Sequence, residues 1–306
     1  MKIAVGIDFS PESELAARQA VEIARHVGGE IVLIHAAGTV EAPPPGPRSD
    51  PSLFAAVETY RQEIARSVAR ARQRLSDLRE RLAGQGPVVS QVLAEGFPDA
   101  ALTSAAGELG ADLVVVGTHG LTGLRWFFLG SIAQHVVRLA RTDVLVARGA
   151  EAGRGGYHRI LVGCDFSAMS ERALDRAIEL AAPAAEIDVV RFAAFYPVAD
   201  SDGMSYDLGA EEEARLIAAL EADGERLLAP RRRPGGPALR FHVRRGRATP
   251  GLVHWLEAEP HDLAALGSHG RRGFRRAVLG SVAETVVRRA PCSVLIAGGR
   301  AQAGGA

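Results

Sequence analysis

The sequence predicts an α/β protein built as two tandem doubly wound domains, each winding helices around a parallel sheet. Three observations carry that expectation. The chain repeats itself once, its halves alternate strand-like and helix-like segments, and its strands are continuously apolar. The repeat is direct. Ile3-Ala-Val-Gly-Ile-Asp-Phe-Ser10 returns as Ile160-Leu-Val-Gly-Cys-Asp-Phe-Ser167, and Asp112-Leu-Val-Val-Val-Gly-Thr-His-Gly120 returns as Asp262-Leu-Ala-Ala-Leu-Gly-Ser-His-Gly270. Leu129-Gly-Ser-Ile-Ala133 likewise returns as Leu279-Gly-Ser-Val-Ala283. One duplication of this length means tandem domains rather than a solenoid. At 306 residues the chain is also long enough for two cores. Residues 1–148 form the first domain and 157–300 the second, joined by a glycine-rich linker over 149–156.

The elements follow in order. Ile3–Ile7 is a short apolar strand that ends on Asp8-Phe-Ser-Pro11, a turn and helix-capping signal. Leu15, Ala16, Ala20, Ile23, Ala24 and Val27 then recur at helical spacing until Gly28-Gly29 stops the helix. Ile31–His35 is the second strand. Ala42-Pro-Pro-Pro-Gly-Pro47 is a loop, because proline serves neither a helix interior nor a central ladder. A long charged amphipathic helix runs from about Ser52 to Leu82. Val88–Leu93 is a strand, Pro98–Leu109 a helix, Leu113–Val116 a strand, Ser131–Ala140 a helix and Val144–Ala147 a fifth strand. A run such as Leu113-Val-Val-Val116 suits a strand covered on both faces.

The second half repeats the order. Strand Ile160–Gly163, helix Glu171–Ala181, strand Asp188–Phe192 and a helix at about Glu211–Leu228 come first. Strand Leu239–Val243, helix Gly251–Glu257, strand Leu263–Leu266, helix Ser281–Arg289 and strand Ser293–Ala297 complete it.

Composition excludes several functions. The chain carries 36 basic and 36 acidic residues, and each half is near neutral, so bulk charge does not make it a nucleic-acid binder. Arg231-Arg-Arg233, Arg240, Arg244, Arg245 and Arg247 cluster without interleaved stacking aromatics, which fits a solvated loop better than a nucleic-acid face. Lys2 is the only lysine. That removes the G-K-[ST] phosphate loop, a kinase strand lysine and Schiff-base chemistry. Any bound phosphate must be held by amides, hydroxyls and arginine. Cys164 and Cys292 have no metal spacing. No apolar run has the length of a membrane span, and the expected location is the cytoplasm.

The chemistry-bearing pattern follows the fourth strand of each half: G-x-x-G, nine residues, then G-S. The residues are Gly117, Gly120, Gly130 and Ser131, then Gly267, Gly270, Gly280 and Ser281. Glycines at a strand's carboxyl end let amides approach an anion. Serine is a favoured cap, and a helix N-terminus binds phosphate. Asp8 and Asp165 face the same crevice, where ligands of open parallel sheets sit. A single copy reads equally well as a turn and an ordinary helix start. Two copies with matching Asp-Phe-Ser segments favour a binding site.

On these residues the chain resembles a tandem universal stress protein, over nearly its whole length and with the ATP-binding type of glycine motif in both halves. The resemblance implies an adenine nucleotide alpha-hydrolase-like fold with five parallel strands per domain and domains paired through the fifth strand. It places Asp8 and Asp165 near adenosine, and Ala36 and Ala193 beside adenine. Gly117, Thr118, His119, Gly120, Gly130, Ser131 and Ile132 would hold ribose and phosphates. Gly267, Ser268, His269, Gly270, Gly280, Ser281 and Val282 would be their counterparts. The ligand is ATP, ADP or AMP, with Mg²⁺ or Mn²⁺ carried by the nucleotide rather than by a protein metal site. His119 and His269 either touch phosphate or are plain loop histidines.

The intervening segments differ. Leu121–Leu129 is largely apolar, with Trp126-Phe-Phe128 expected in packing, whereas Arg271–Leu279 carries four arginines. Those arginines predict tighter triphosphate binding in the second half, or else form a solvated face. Three functions stand side by side. One is a nucleotide-binding stress or signalling protein, expected as a homodimer of two-domain chains with one site per domain and little turnover. The others are a weak ATP hydrolase or nucleotidyl transferase, and a nucleotide-free scaffold for protein partners.

Overall fold

The structure is a computed structural model. It describes residues 1–37, 51–119, 129–149, 155–194, 198–199, 205–206, 209–269 and 279–298. The proline-rich loop, most of the expected linker, Gly120, Gly270, Trp126–Phe128 and the arginine run from Arg271 lie outside the described residues.

The first half is β1 (Lys2–Gly6), α1 (Pro11–Val27), β2 (Glu30–Ala37), α2 (Pro51–Ala83), β3 (Val88–Glu95), α3 (Pro98–Glu108), β4 (Leu113–Gly117), α4 (Ser131–Leu139) and β5 (Asp143–Ala147). The second is β6 (Tyr157–Gly163), α5 (Ala168–Leu180), β7 (Ala181–Ala193), the small strands β8 (Val198–Ala199) and β9 (Ser205–Tyr206), then α6 (Ala210–Leu228). It ends with β10 (Ala238–Arg245), α7 (Ala248–Ala258), β11 (Leu263–Gly267), α8 (Ser281–Arg289) and β12 (Ser293–Ala297).

Local chemistry sets the ends. Ser10 caps α1 by accepting the Ser13 amide at 3.2 Å, Pro11 opens the helix with a pre-set φ, and Gly28 closes it in the left-handed region at φ 71°. Ser167 caps α5 in the same way, so that helix starts earlier than its apolar spacing announces. β7 is longer than expected. It continues straight from α5 at Ala181 and absorbs a register irregularity against β6, with Ala184 at φ 59°. The antiparallel pair β8–β9 carries no sequence signal that the apolar pattern could reveal.

Ten strands form one sheet in the order β3-β2-β1-β4-β5-β12-β11-β6-β7-β10. Every neighbour pair is parallel except β5–β12, where Leu145 faces Leu295 across an antiparallel seam that joins the two halves. Strand residues alternate between two cores. Ile3, Val5, Leu113 and Val115 belong to the core that also takes in residues of α1, α2, α5 and α6, while Ala4, Val114 and Val116 belong to the one shared with α3, α4, α7 and α8. Of the long α2, Leu75, Leu78 and Leu82 reach the core at helical spacing, and residues 55–74 are exposed or half-buried.

Polar groups lock the seam. Asp143, fully buried, accepts Arg172 Nε at 2.9 Å, Arg176 Nε at 2.8 Å and the Gly298 amide at 3.1 Å. The related corner is neutral. Tyr157 and Ser293 hydroxyls both donate to Gln19 Oε1, at 3.1 and 3.0 Å. Arg148 reaches across from β5 to cap α8, donating to the carbonyls of Val287 and Ala290.

Both cysteines are free and buried. Burial pushes the Cys292 thiol up to about 12, and it raises Cys164 and the wholly buried Tyr157 as well. These groups keep their protons in the folded protein but lose them nearer their ordinary values once unfolded. Their contribution to stability is therefore intact up to about pH 8 and is lost above it, by up to about 1.4 kcal/mol per pH unit for each retained proton. Urea midpoints measured from pH 7 to 11 should show that decline, and Cys292→Ala should shallow it. A midpoint unchanged to pH 11 would contradict the assignment.

Candidate functional site

The strand order reverses direction at β1, which has β2 on one side and β4 on the other. The connections leave on opposite faces there, and a crevice opens beyond the carboxyl ends. In the first domain it is a cavity of about 250 Å³. Gly6, Ile7 and Asp8 at the end of β1, Ile34 and Ala36 of β2, and Pro98 and Leu102 of α3 line one part. Gly117, Thr118 and His119 after β4, with Gly130, Ser131, Ile132 and Ala133 at the start of α4, line the other.

The Asp-Phe-Ser turn explains how Asp8 gets there. Phe9 adopts φ 64°, a left-handed conformation rare for a bulky residue and mostly found where surroundings over-determine it. Its ring packs on the opposite face, 4.7 Å from His35 and 4.1 Å beneath the Arg74 guanidinium. Asp8 Oδ1 accepts the Ser10 amide at 3.0 Å and the Ser10 hydroxyl at 2.5 Å. Among the described residues nothing donates to Asp8 Oδ2. Phe166, at φ 59°, and the Asp165 bond from Ser167 N at 3.0 Å repeat the turn in the second domain.

The glycines divide into two jobs. A Cβ on Gly117 would stand 2.7 Å from the Glu12 backbone, and one on Gly267 would stand 2.8 Å from Met169. These two let the first turn of α1 or α5 press onto the strand end, a packing duty beyond the open approach to an anion that the sequence suggests. Gly130 is the N-cap of α4, extended at φ −59° and ψ 147°, with no side-chain cap. Its amide donates to the Thr118 carbonyl at 2.8 Å, and Gly280 does the same to Ser268. Ser131 and Ser281 are therefore the first helical residues rather than the caps. Among the described residues no side chain satisfies the amides that open the helix, and the partial positive charge of the macrodipole sits at the cavity wall.

His119 Nδ1 lies 3.0 Å from Thr118 Oγ1, and its Nε2 has no partner among the described residues. His269 and Ser268 repeat this at 3.1 Å, again with Nε2 unpartnered. Among the described residues no group of His, Cys, Asp and Glu is arranged to hold an ion.

The β2 and β7 positions do not correspond as the sequence suggests. Gly6 pairs with Ile34 and Gly163 with Val190, so Phe192 matches Ala36, and Ala193 matches Ala37. Strand alternation puts Ala193 on the other face. The cavity also uses Ile7, Ser13, Ile34, Pro98 and Leu102. Their only sequence signal is their place at the ends of elements, which becomes meaningful once the register is known.

The model of the Universal stress protein family matches residues 1–148 and 156–298. The chain belongs to this family. A universal stress protein of Mycolicibacterium smegmatis is 29% identical over 300 residues, covering 96% of each chain. One of Mycobacterium tuberculosis is 28% identical over 305 residues, covering 96% of this chain and 95% of its own. Among solved structures, a universal stress protein of Archaeoglobus fulgidus superposes with a TM-score of 0.64 at 16% identity, covering 97% of this universal stress protein and 98% of its own chain. That likeness supports the fold. Another solved universal stress protein, 25% identical over 49% of this chain with a TM-score of 0.34, is in complex with cAMP. No helix among the described residues is long and apolar enough to cross a membrane.

Proposed function

We propose that this universal stress protein is an adenine nucleotide receptor, taking ATP, ADP or AMP in the first-domain crevice, with nucleotide occupancy rather than turnover as its output. The observation that supports it is the division of that cavity. Ile34, Ala36, Pro98 and Leu102 make an apolar slot at one end, and the uncapped α4 N-terminus stands at the other. An adenine ring fits the first by burial and a phosphate the second by amide hydrogen bonds and the helix dipole. Asp8, with one carboxylate oxygen spent on its turn, has another to accept from a ribose hydroxyl. Thr118, His119 and Ser131 add donors along the phosphate end. A divalent cation carried by the nucleotide would shield its phosphate charge.

Ser131→Asp separates this reading from a bare structural role. A carboxylate at the first turn favours the helix through its dipole, so the ligand-free protein should melt at the same temperature or slightly higher. The same charge repels phosphate, and ATP affinity should fall at least about tenfold, or about 1.4 kcal/mol. Adenosine, lacking phosphate, should bind as before. Thermal shift with ATP, ADP, AMP and adenosine reads all of this. A wild-type melting temperature indifferent to every nucleotide would overturn the proposal. Phosphate release keeping pace with binding would move it to the hydrolase alternative.

A further inference from the structure

We propose that the chain holds one nucleotide, in the first domain, because the base end of the second crevice is closed by the ring of its own Phe192. This rests on the reading of the first crevice as a nucleotide site.

Among the described residues the two crevices are alike at their phosphate ends. Each has the left-handed Asp-Phe-Ser turn, the strand-end glycine, a histidine bonded to the neighbouring hydroxyl, and a helix without a side-chain cap. They part at the base end. Ala36 lines the open first cavity, and Phe192 holds the matching register position.

The ring is seated rather than loose. It crosses from β7 to α7 and fits the notch at Gly251, where an added Cβ would lie 2.1 Å from Phe192 Cε1. The position matching Gly251 on α3 is Ala101, which has its methyl group. A benzyl group against a glycine in one domain thus replaces two methyl groups in the other, a paired exchange that fills the gap between strand and helix.

The wall behind the ring is built up too. Arg244, the β10 partner of Phe192, lies 4.7 Å over the Trp255 ring. His242 meets Trp255 edge-on at 5.3 Å and bonds Asp188 at 2.7 Å. In the first domain the matching residues are the small Ala94, Ala105, Val92 and Val32. Leu266, where the first cavity has Val116, also presses on Gly163, whose Cβ would stand 2.4 Å away. Val190 for Ile34 and Ala248 for Pro98 are small trims beside these gains. The arginines from Arg271 to Arg276 argue for strong phosphate binding in the second domain. Charge cannot seat a purine where a ring already stands.

Calorimetric titration of the full chain with Mg-ATP reads the stoichiometry. One site is expected in the wild type and two in Phe192→Ala. Photolabelling of the wild type with 8-azido-ATP needs no variant and should mark first-domain peptides alone. Two sites in the wild type, or label in second-domain peptides, would overturn the inference and leave the nucleotide reading standing. One site persisting in a folded Phe192→Ala protein would also overturn it. No binding at all would instead remove the nucleotide reading itself.

Discussion

Asp143→Ala should cost the folded chain about 3–5 kcal/mol, the usual penalty for removing one partner of a buried ion pair. Asp143 is fully buried at the seam between the halves, and its carboxylate holds two guanidinium groups and a backbone amide. Arg176 is itself nearly buried, with 12% of its side chain exposed. Without the carboxylate, two guanidinium groups stay close together in a poorly solvated corner, and among the described residues the half-exposed Glu179 beside Arg176 is what remains to balance them. The pseudo-symmetric corner shows a neutral solution to the same geometry. There Gln19 occupies the position of Arg176, Ser293 that of Asp143 and Leu15 that of Arg172. Asp143→Ser combined with Arg172→Leu and Arg176→Gln should therefore recover most of the loss, because replacing a whole buried ionic group is often near neutral. Denaturant midpoints of the two variants test this. An alanine variant within 1 kcal/mol of wild type would show that the triad is solvated and contributes little.

The contrast also explains what could be read in advance. Periodicity and repetition are collective signals, so the strands of the large sheet, β1 to β7 and β10 to β12, were legible in runs such as Leu113-Val-Val-Val116. The site loops were legible for the same reason, since Asp8, Gly130 and Ser131 recur with their surroundings. Single residues whose role depends on register were not. Ala193 looks like the partner of Ala36 until β6 and β7 are aligned, when Phe192 takes that place. The cap belongs to Gly130 and not to Ser131, a matter of one residue that helical spacing leaves undetermined. Gly117 reads as an anion loop from sequence, while its tightest constraint is the Glu12 backbone pressing from the other side. Asp143 and Arg176 carry no pattern at all: their partnership exists only across the antiparallel seam.

Moving the second domain's filling into the first should silence the open site. Ala36→Phe alone would push a ring toward Ala101, whose methyl group occupies the notch that Gly251 leaves empty, and overpacking of that kind costs about 1–3 kcal/mol. The double variant Ala36→Phe with Ala101→Gly reproduces both halves of the exchange. It should fold with little of that strain, less the propensity cost of a helix glycine, up to about 1 kcal/mol. Its ATP affinity should nevertheless fall on the order of 100-fold, about 2.8 kcal/mol, because the slot that buries adenine is gone while Asp8 and the α4 amides remain. Inorganic phosphate or tripolyphosphate, which does not use that slot, should compete in the variant as in the wild type. This pattern separates a blocked base slot from a damaged domain, since misfolding would remove phosphate binding too. Unchanged ATP affinity in a folded double variant would mean that adenine lies elsewhere, and Ala36 would then be a strand residue with no part in recognition.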